Sequence, residues 1–122
     1  WLVIVSPHHM VPDKTTNLYS SLDPALFTDG TITHQLAGKI IRGELTLPGP
    51  NAFAVIANSI FPELPYLEES LIENGATNVS LTGSGPSLFS VFQTEEHARR
   101  TAEILKAKPL QASIIVTSTV SG

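Results

Sequence analysis

Residues 81–89 read Leu-Thr-Gly-Ser-Gly-Pro-Ser-Leu-Phe, two glycines and a proline set between the short apolar runs 79–81 and 88–92. The pattern predicts strand, tight glycine loop, strand. Such a loop exposes backbone N–H groups and hydroxyls with almost no side-chain bulk, so it can approach a phosphate or another loop closely. The plainer reading is a hairpin turn, with glycine supplying positive φ and proline stiffening the exit. It is not a P-loop, because no Gly-Lys-Ser/Thr follows. Nor is it the dinucleotide fingerprint, because a strand rather than a helix comes next.

Other side chains carry weaker chemical signals. His8 and His9 are adjacent in an extended segment and must point to opposite sides, which makes a shared metal ion difficult. His34 and His97 have no ligand partner at helical spacing, and the Cys/His spacings of zinc sites are absent, so no metal site is expected. Lys14, at a helix start, either contacts a diphosphate or is an ordinary solvated lysine. Asp29, Glu63, Glu68, Glu69 and Glu73 read as surface charges, with no acid–base pair among them.

These groups need elements to position them. Residues 1–6 are β-rich and predict a strand that ends at Pro7. After Pro12, the residues Thr15, Leu18, Tyr19 and Leu22 fall at helical spacing. Asp29-Gly30 marks a turn, and a second helix follows with Ile32, Leu36, Ala37 and Ile40 inward and Gly43 as its stop. Leu47-Pro48-Gly49-Pro50 reads as a rigid loop. A helix over 51–61 takes Asn51 as N-cap and Phe53, Ile56, Ala57 and Ile60 as its apolar face. Pro62 breaks it. The next helix begins near Pro65, presents Leu64, Leu67, Leu71 and Ile72, and stops at Asn74-Gly75. Strands at 77–82 and 87–92 flank the glycine loop. A helix over 95–106 is capped by Thr94, with Glu95 and Glu96 at its positive end, Lys106 at its negative end and Ala98, Ala102 and Leu105 inward. Residues 112–118 form a last strand. The economical arrangement is α+β: about four strands in an antiparallel or mixed sheet, with helices on one face.

With 122 residues the chain is one domain by size, and it buries roughly two thirds of its unfolded surface. Its 42% hydrophobic and 15% charged content excludes disorder. No apolar stretch reaches the ~18 residues of a membrane span. A net charge of −4 with seven scattered Lys and Arg argues against a nucleic-acid groove. There is no cysteine, which excludes disulfides and thiolate chemistry, fits a reducing compartment and leads us to expect a cytoplasmic protein. The opening Trp1-Leu2-Val3-Ile4-Val5 is no signal peptide, and without an initiator Met it reads as a strand met mid-sequence, as in a fragment or processed chain.

Three blocks carry a family resemblance. Asn74-Gly75-Ala76, the glycine loop and Glu95-Glu96-His97-Ala98 at a helix start together resemble the third conserved motif of the GHMP small-molecule kinases. The segment 11–19, with Thr15 followed four residues later by the aromatic Tyr19, resembles the branch that phosphorylates a cytidine-diphosphate derivative of methylerythritol. Pro50-Asn51-Ala52-Phe53 is similar to that family's Asn-Asp-Phe/Leu-Glu helix start, and Phe27-Thr28-Asp29-Gly30 fits the same branch. Ala52 and Ala54 depart from the pattern, standing where the family has two acids.

The resemblance implies a GHMP kinase C-terminal domain over residues 1–122, ferredoxin-like in arrangement. The N-terminal domain, with its phosphate loop, catalytic Asp and catalytic Lys, would lie outside this sequence, so no catalytic residue is assigned here. It further implies that Gly83, Ser84 and Gly85 pack beside the ATP phosphates. Thr15 would lie near the phosphoryl-accepting end of the substrate, and Tyr19 would stack on its cytosine. Read from its spacing alone, Tyr19 is an amphipathic core residue with its hydroxyl at the surface. The implied activity is transfer of the γ-phosphoryl of ATP, with Mg²⁺, to the 2-hydroxyl of the acceptor in non-mevalonate isoprenoid precursor synthesis. The implied partners are that small molecule and the chain's own N-terminal domain. The isolated 122 residues should lack kinase activity and tend to self-associate through the surface left bare. Two readings stay open beside it: a GHMP kinase of the homoserine or mevalonate type, and a non-enzymatic α+β ligand-binding domain.

Overall fold

Strand β1 (Leu2–Pro7) is the spine of the domain in this computed structural model, which describes residues 1–44, 49 and 51–120. Its alternation puts Val3, Val5 and Pro7 inside and leaves Leu2, Ile4 and Ser6 half-buried on the other face. β1 pairs antiparallel with β3 (Leu88–Val91) on one side and β4 (Ala112–Thr117) on the other; β2 (Ser80–Leu81) pairs with β3 at the edge. The order β2-β3-β1-β4, with helices between β1 and β2 and between β3 and β4, is the ferredoxin-like arrangement.

The segment expected to pair over 77–82 pairs only at Ser80 and Leu81. Asn78 is a poor strand former, and its carbonyl accepts the Ser90 hydroxyl instead of entering the ladder.

Among the described residues five α-helices fill out the fold: α1 (Lys14–Ser20), α2 (Thr31–Ile41), α3 (Ala54–Ile60), α4 (Leu64–Glu73) and α5 (Glu95–Ala107), with a short 3-10 turn at Pro24–Leu26. α4 lies over β3, and α5 lies over β1 and β4. Leu64, Leu67 and Leu71 from α4 and Ala98, Ala102 and Leu105 from α5 meet Val3, Val5 and Leu88 in one buried core. Each buried leucine contributes about 1.5–3 kcal/mol. Thr94 caps α5 by accepting the His97 N–H, and Glu95 pairs with Arg99 one turn on. The opposite sheet face carries the row Phe89, Ile4 and Ile115, and Ile115 is exposed, so the helices cover one face only.

Two expected apolar faces differ. α2 forms where its periodicity places it, between the left-handed Gly30 and Gly43. Asp29 accepts the Thr31 N–H at 2.9 Å, and that bond, with the Thr31 hydroxyl, holds the carboxyl below its ordinary pKa. Yet no residue of α2 is buried, and Ile32, Ile40 and Ile41 are exposed. Periodicity builds a helix but does not supply a surface to cover it. In α4 the fourth inward place belongs to Ser70 rather than Ile72, which sits about 100° round the helix from Leu71 and is exposed.

α1 is shorter than its pattern suggests. Leu18 alone is buried; Thr15 and Tyr19 are exposed, and Leu22 falls beyond the helix end. The loop expected at Leu47-Pro48-Gly49-Pro50 lies outside the described residues except for Gly49. Among the described residues no helix is long and apolar enough to cross a membrane.

Candidate functional site

The glycine loop is closed at its base by backbone and hydroxyl alike. Thr82 N–H donates to the Ser87 carbonyl at 2.8 Å, and the Thr82 hydroxyl donates to the same oxygen at 3.1 Å. Inside that closure, Gly85 N–H donates to Thr82 O at 2.7 Å. Gly83 and Gly85 take φ of +51° and +75°, the left-handed region in which side chains are disfavoured, and Gly85-Pro86 is cis. The Ser87 hydroxyl meets that of Ser6 at 2.7 Å, fastening the loop exit to the end of β1. Among the described residues, the Gly83 and Ser84 N–H groups have no protein acceptor.

Two side chains distant in sequence hold this loop. From α1, the Lys14 ammonium donates to the Gly85 carbonyl. From the segment before α3, the Asn51 amide nitrogen donates to Leu81 O at 3.1 Å and to Gly83 O at 2.8 Å. The Asn51 side-chain oxygen accepts the Phe53 N–H at 3.0 Å, a local turn before α3; the helix expected over 51–61 with Asn51 as its N-cap begins only at Ala54, with Phe53 in the cap position and no side chain capping it.

A cleft of about 530 Å³ opens between the end of β1, the start of α1 and the loop exit. Val11, Lys14, Thr15, Pro86 and Ser87 line it, and the fully buried Phe61 lies at its floor. Thr15 is thus brought against the exit of the glycine loop. Tyr19, a turn further along α1, lies outside the cleft lining. Its ring meets Phe53 edge-on, with centroids 5.0 Å apart, and is 61% exposed.

The cleft wall therefore offers an ammonium and hydroxyls; Gly83, Ser84 and Gly85 lie in the adjoining loop, outside the cleft lining. That donor set suits phosphate oxygens. Among the described residues no three acid or histidine side chains converge as in an all-protein metal site. The two adjacent histidines part company, His8 bonding the Ser113 hydroxyl at 3.0 Å and His9 facing Glu63 at 3.4 Å. Glu63, expected to be a surface charge, is partly buried. Asn51 reads as an N-cap, but it sits in the turn before α3. Its reach to carbonyls 30 and 32 residues on had no sequence signal.

Comparison with known proteins bears on this geometry. Residues 34–110 match the family described as GHMP kinases C terminal. The chain is 37% identical over 119 residues to the 4-diphosphocytidyl-2-C-methyl-D-erythritol kinase of Dehalococcoides mccartyi, covering 96% of this chain and 42% of that protein. The kinase of the same name from Alkaliphilus oremlandii is 27% identical, with 96% and 40% covered. This chain thus spans well under half the length of these relatives. A crystal structure of 4-(cytidine 5'-diphospho)-2C-methyl-D-erythritol kinase superposes with a TM-score of 0.71 at 29% identity, over 93% of this chain and 41% of that one. Homoserine kinase from Cytophaga hutchinsonii gives a TM-score of 0.63 at 19% identity, over 96% and 41%, a likeness of fold alone.

Proposed function

The chain belongs to the GHMP kinase family, matching its C-terminal part, and from that premise we propose that the full-length protein is an ATP-dependent kinase of the methylerythritol branch. It transfers the γ-phosphoryl of ATP to the 2-hydroxyl of 4-diphosphocytidyl-2-C-methyl-D-erythritol. The observation that supports this reading is the glycine loop, whose exit at Pro86 and Ser87 lines the same cleft as Lys14 and Thr15 and whose Gly83 and Ser84 amides have no acceptor among the described residues. The 37% identity to a kinase of that name supports this choice of acceptor.

In this reading residues 1–122 form one domain and supply the substrate side of the cleft. Phosphoryl transfer depends mostly on positioning and on stabilising charge spread over the phosphoryl oxygens. The Gly83 and Ser84 amides point dipoles at those oxygens, and Lys14 adds a full charge nearby. The Thr15 hydroxyl lies near the accepting end of the substrate. The base, the Mg²⁺ ligands and most ATP contacts belong to an N-terminal domain, which makes the isolated chain inactive. The exposed isoleucines of α2 support a surface covered in the whole protein or by self-association of this part alone. We place the enzyme in the cytoplasm.

Tyr19 is the cytosine platform in this reading, supported by its 61% exposure and by the edge contact with Phe53, which leaves a ring face free. Replacing a stacking ring costs about 1–3 kcal/mol, or roughly 5- to 150-fold in affinity. Tyr19→Ala in the full-length protein should raise KM for the cytidine substrate by that factor, while Tyr19→Phe keeps it low. Cytidine nucleotides should compete with the acceptor. An unchanged KM in Tyr19→Ala would remove the platform from the account, and indifference to cytidine nucleotides would favour an acceptor of the homoserine or mevalonate type.

A further inference from the structure

We propose that Asn51 is a positioning residue that aims the Ser84 backbone N–H at an anionic phosphate. The inference rests on the kinase reading for the identity of the phosphate, but its geometry is independent of it. All three of the hydrogen bonds on the Asn51 carboxamide are spent. One goes back to the start of α3, through Phe53 N–H at 3.0 Å; two go out to the glycine loop, through Leu81 O at 3.1 Å and Gly83 O at 2.8 Å.

The bond to Gly83 O fixes more than one atom. In a trans peptide the C=O of one residue and the N–H of the next point in opposite directions across a rigid plane. Holding Gly83 O toward Asn51 therefore turns Ser84 N–H away from Asn51. The same rule applied to Leu81 O turns Thr82 N–H away, and that group is found donating to Ser87 O. Ser84 N–H has no such acceptor among the described residues. It is a donor held in a fixed direction and left unspent. Glycine at φ +51° would otherwise let this peptide flip readily, because nothing lies within 4 Å of where a Gly83 side chain would begin. The clamp supplies the restraint that local sterics do not. Lys14 secures the next stretch of the loop through Gly85 O, where proline follows and no N–H exists to be aimed.

The two tasks of Asn51 separate chemically. Asn51→Asp keeps an oxygen for Phe53 N–H, hence the turn before α3, but puts a carboxylate oxygen against two carbonyls where a donor stood. Asn51→Ser keeps a side-chain oxygen for that turn, is neutral, and is too short to reach the loop. Both variants of the full-length protein should remain folded. Each should lose on the order of 10²-fold in kcat, the scale of a misplaced catalytic contact, with little change in KM for the acceptor.

The distinguishing readout is the Ser84 amide resonance during titration with inorganic pyrophosphate. It should shift in the wild-type protein and stay still in both variants. Kinase turnover with no response at Ser84, or variants with wild-type kcat and a wild-type Ser84 response, would overturn the proposal and leave the kinase reading standing. A Ser84 response lost in both variants, in a protein that phosphorylates nothing, would uphold the clamp and remove the kinase reading.

Discussion

Phe61→Ala is expected to lower the unfolding free energy by about 3–5 kcal/mol, the range for removing a buried aromatic ring. Phe61 is fully buried, ends α3 through a bond from its N–H to Ala57 O at 2.8 Å, and forms part of both the core cluster and the cleft floor. Its loss strips contacts from the core and opens a void beneath the site. Natural domains of this size hold only about 5–15 kcal/mol in all, so the variant should unfold with a Tm lower by roughly 10–20 °C. Urea denaturation of wild-type and variant protein measures the difference. A loss under about 1 kcal/mol, the scale of an unremarkable surface change, would show that the ring is not packed as described.

Gly85→Ala should cost about 2–5 kcal/mol from two separate sources. A side chain at φ +75° costs about 1–2 kcal/mol, and forcing a methyl group into a filled space costs about 1–3 more. The new carbon would stand 2.8 Å from Leu81 Cδ1 and 3.4 Å from its Cγ, and Leu81 is itself buried in the core and not free to swing aside. Gly83→Ala provides the contrast. Its φ is +51° and its surroundings are open, so only the backbone term of about 1–2 kcal/mol remains. Equal losses for the two variants, measured by the same denaturation experiment, would contradict the close packing of Leu81 beneath the loop.

Much of the molecule was legible where a single local rule decides. The glycine loop announced itself because glycine takes those left-handed φ values most readily. α5 was legible from end to end because cap, first-turn acids and apolar spacing agree. Where position depends on a distant partner, the sequence was silent. The apolar spacing of α2 built the helix but left Ile32 and Ile40 in solvent, because among the described residues no neighbouring element covers them. Thr15 and Tyr19 share a helix, yet Thr15 lines the cleft and Tyr19 leans on Phe53, a difference set by where α3 packs. Asn51 wore the common dress of a helix cap while its amide nitrogen reached a loop thirty residues away. Long-range hydrogen bonds of this kind leave no periodicity to read.

The most direct measurement is an assay of the purified full-length protein with ATP, Mg²⁺ and 4-diphosphocytidyl-2-C-methyl-D-erythritol, with products read by mass spectrometry. The account predicts ADP and, in equal amount, an acceptor heavier by one phosphoryl group on its 2-hydroxyl. Phosphorylation of homoserine or mevalonate in preference to the cytidine substrate, or no phosphoryl transfer to any of them, would contradict it.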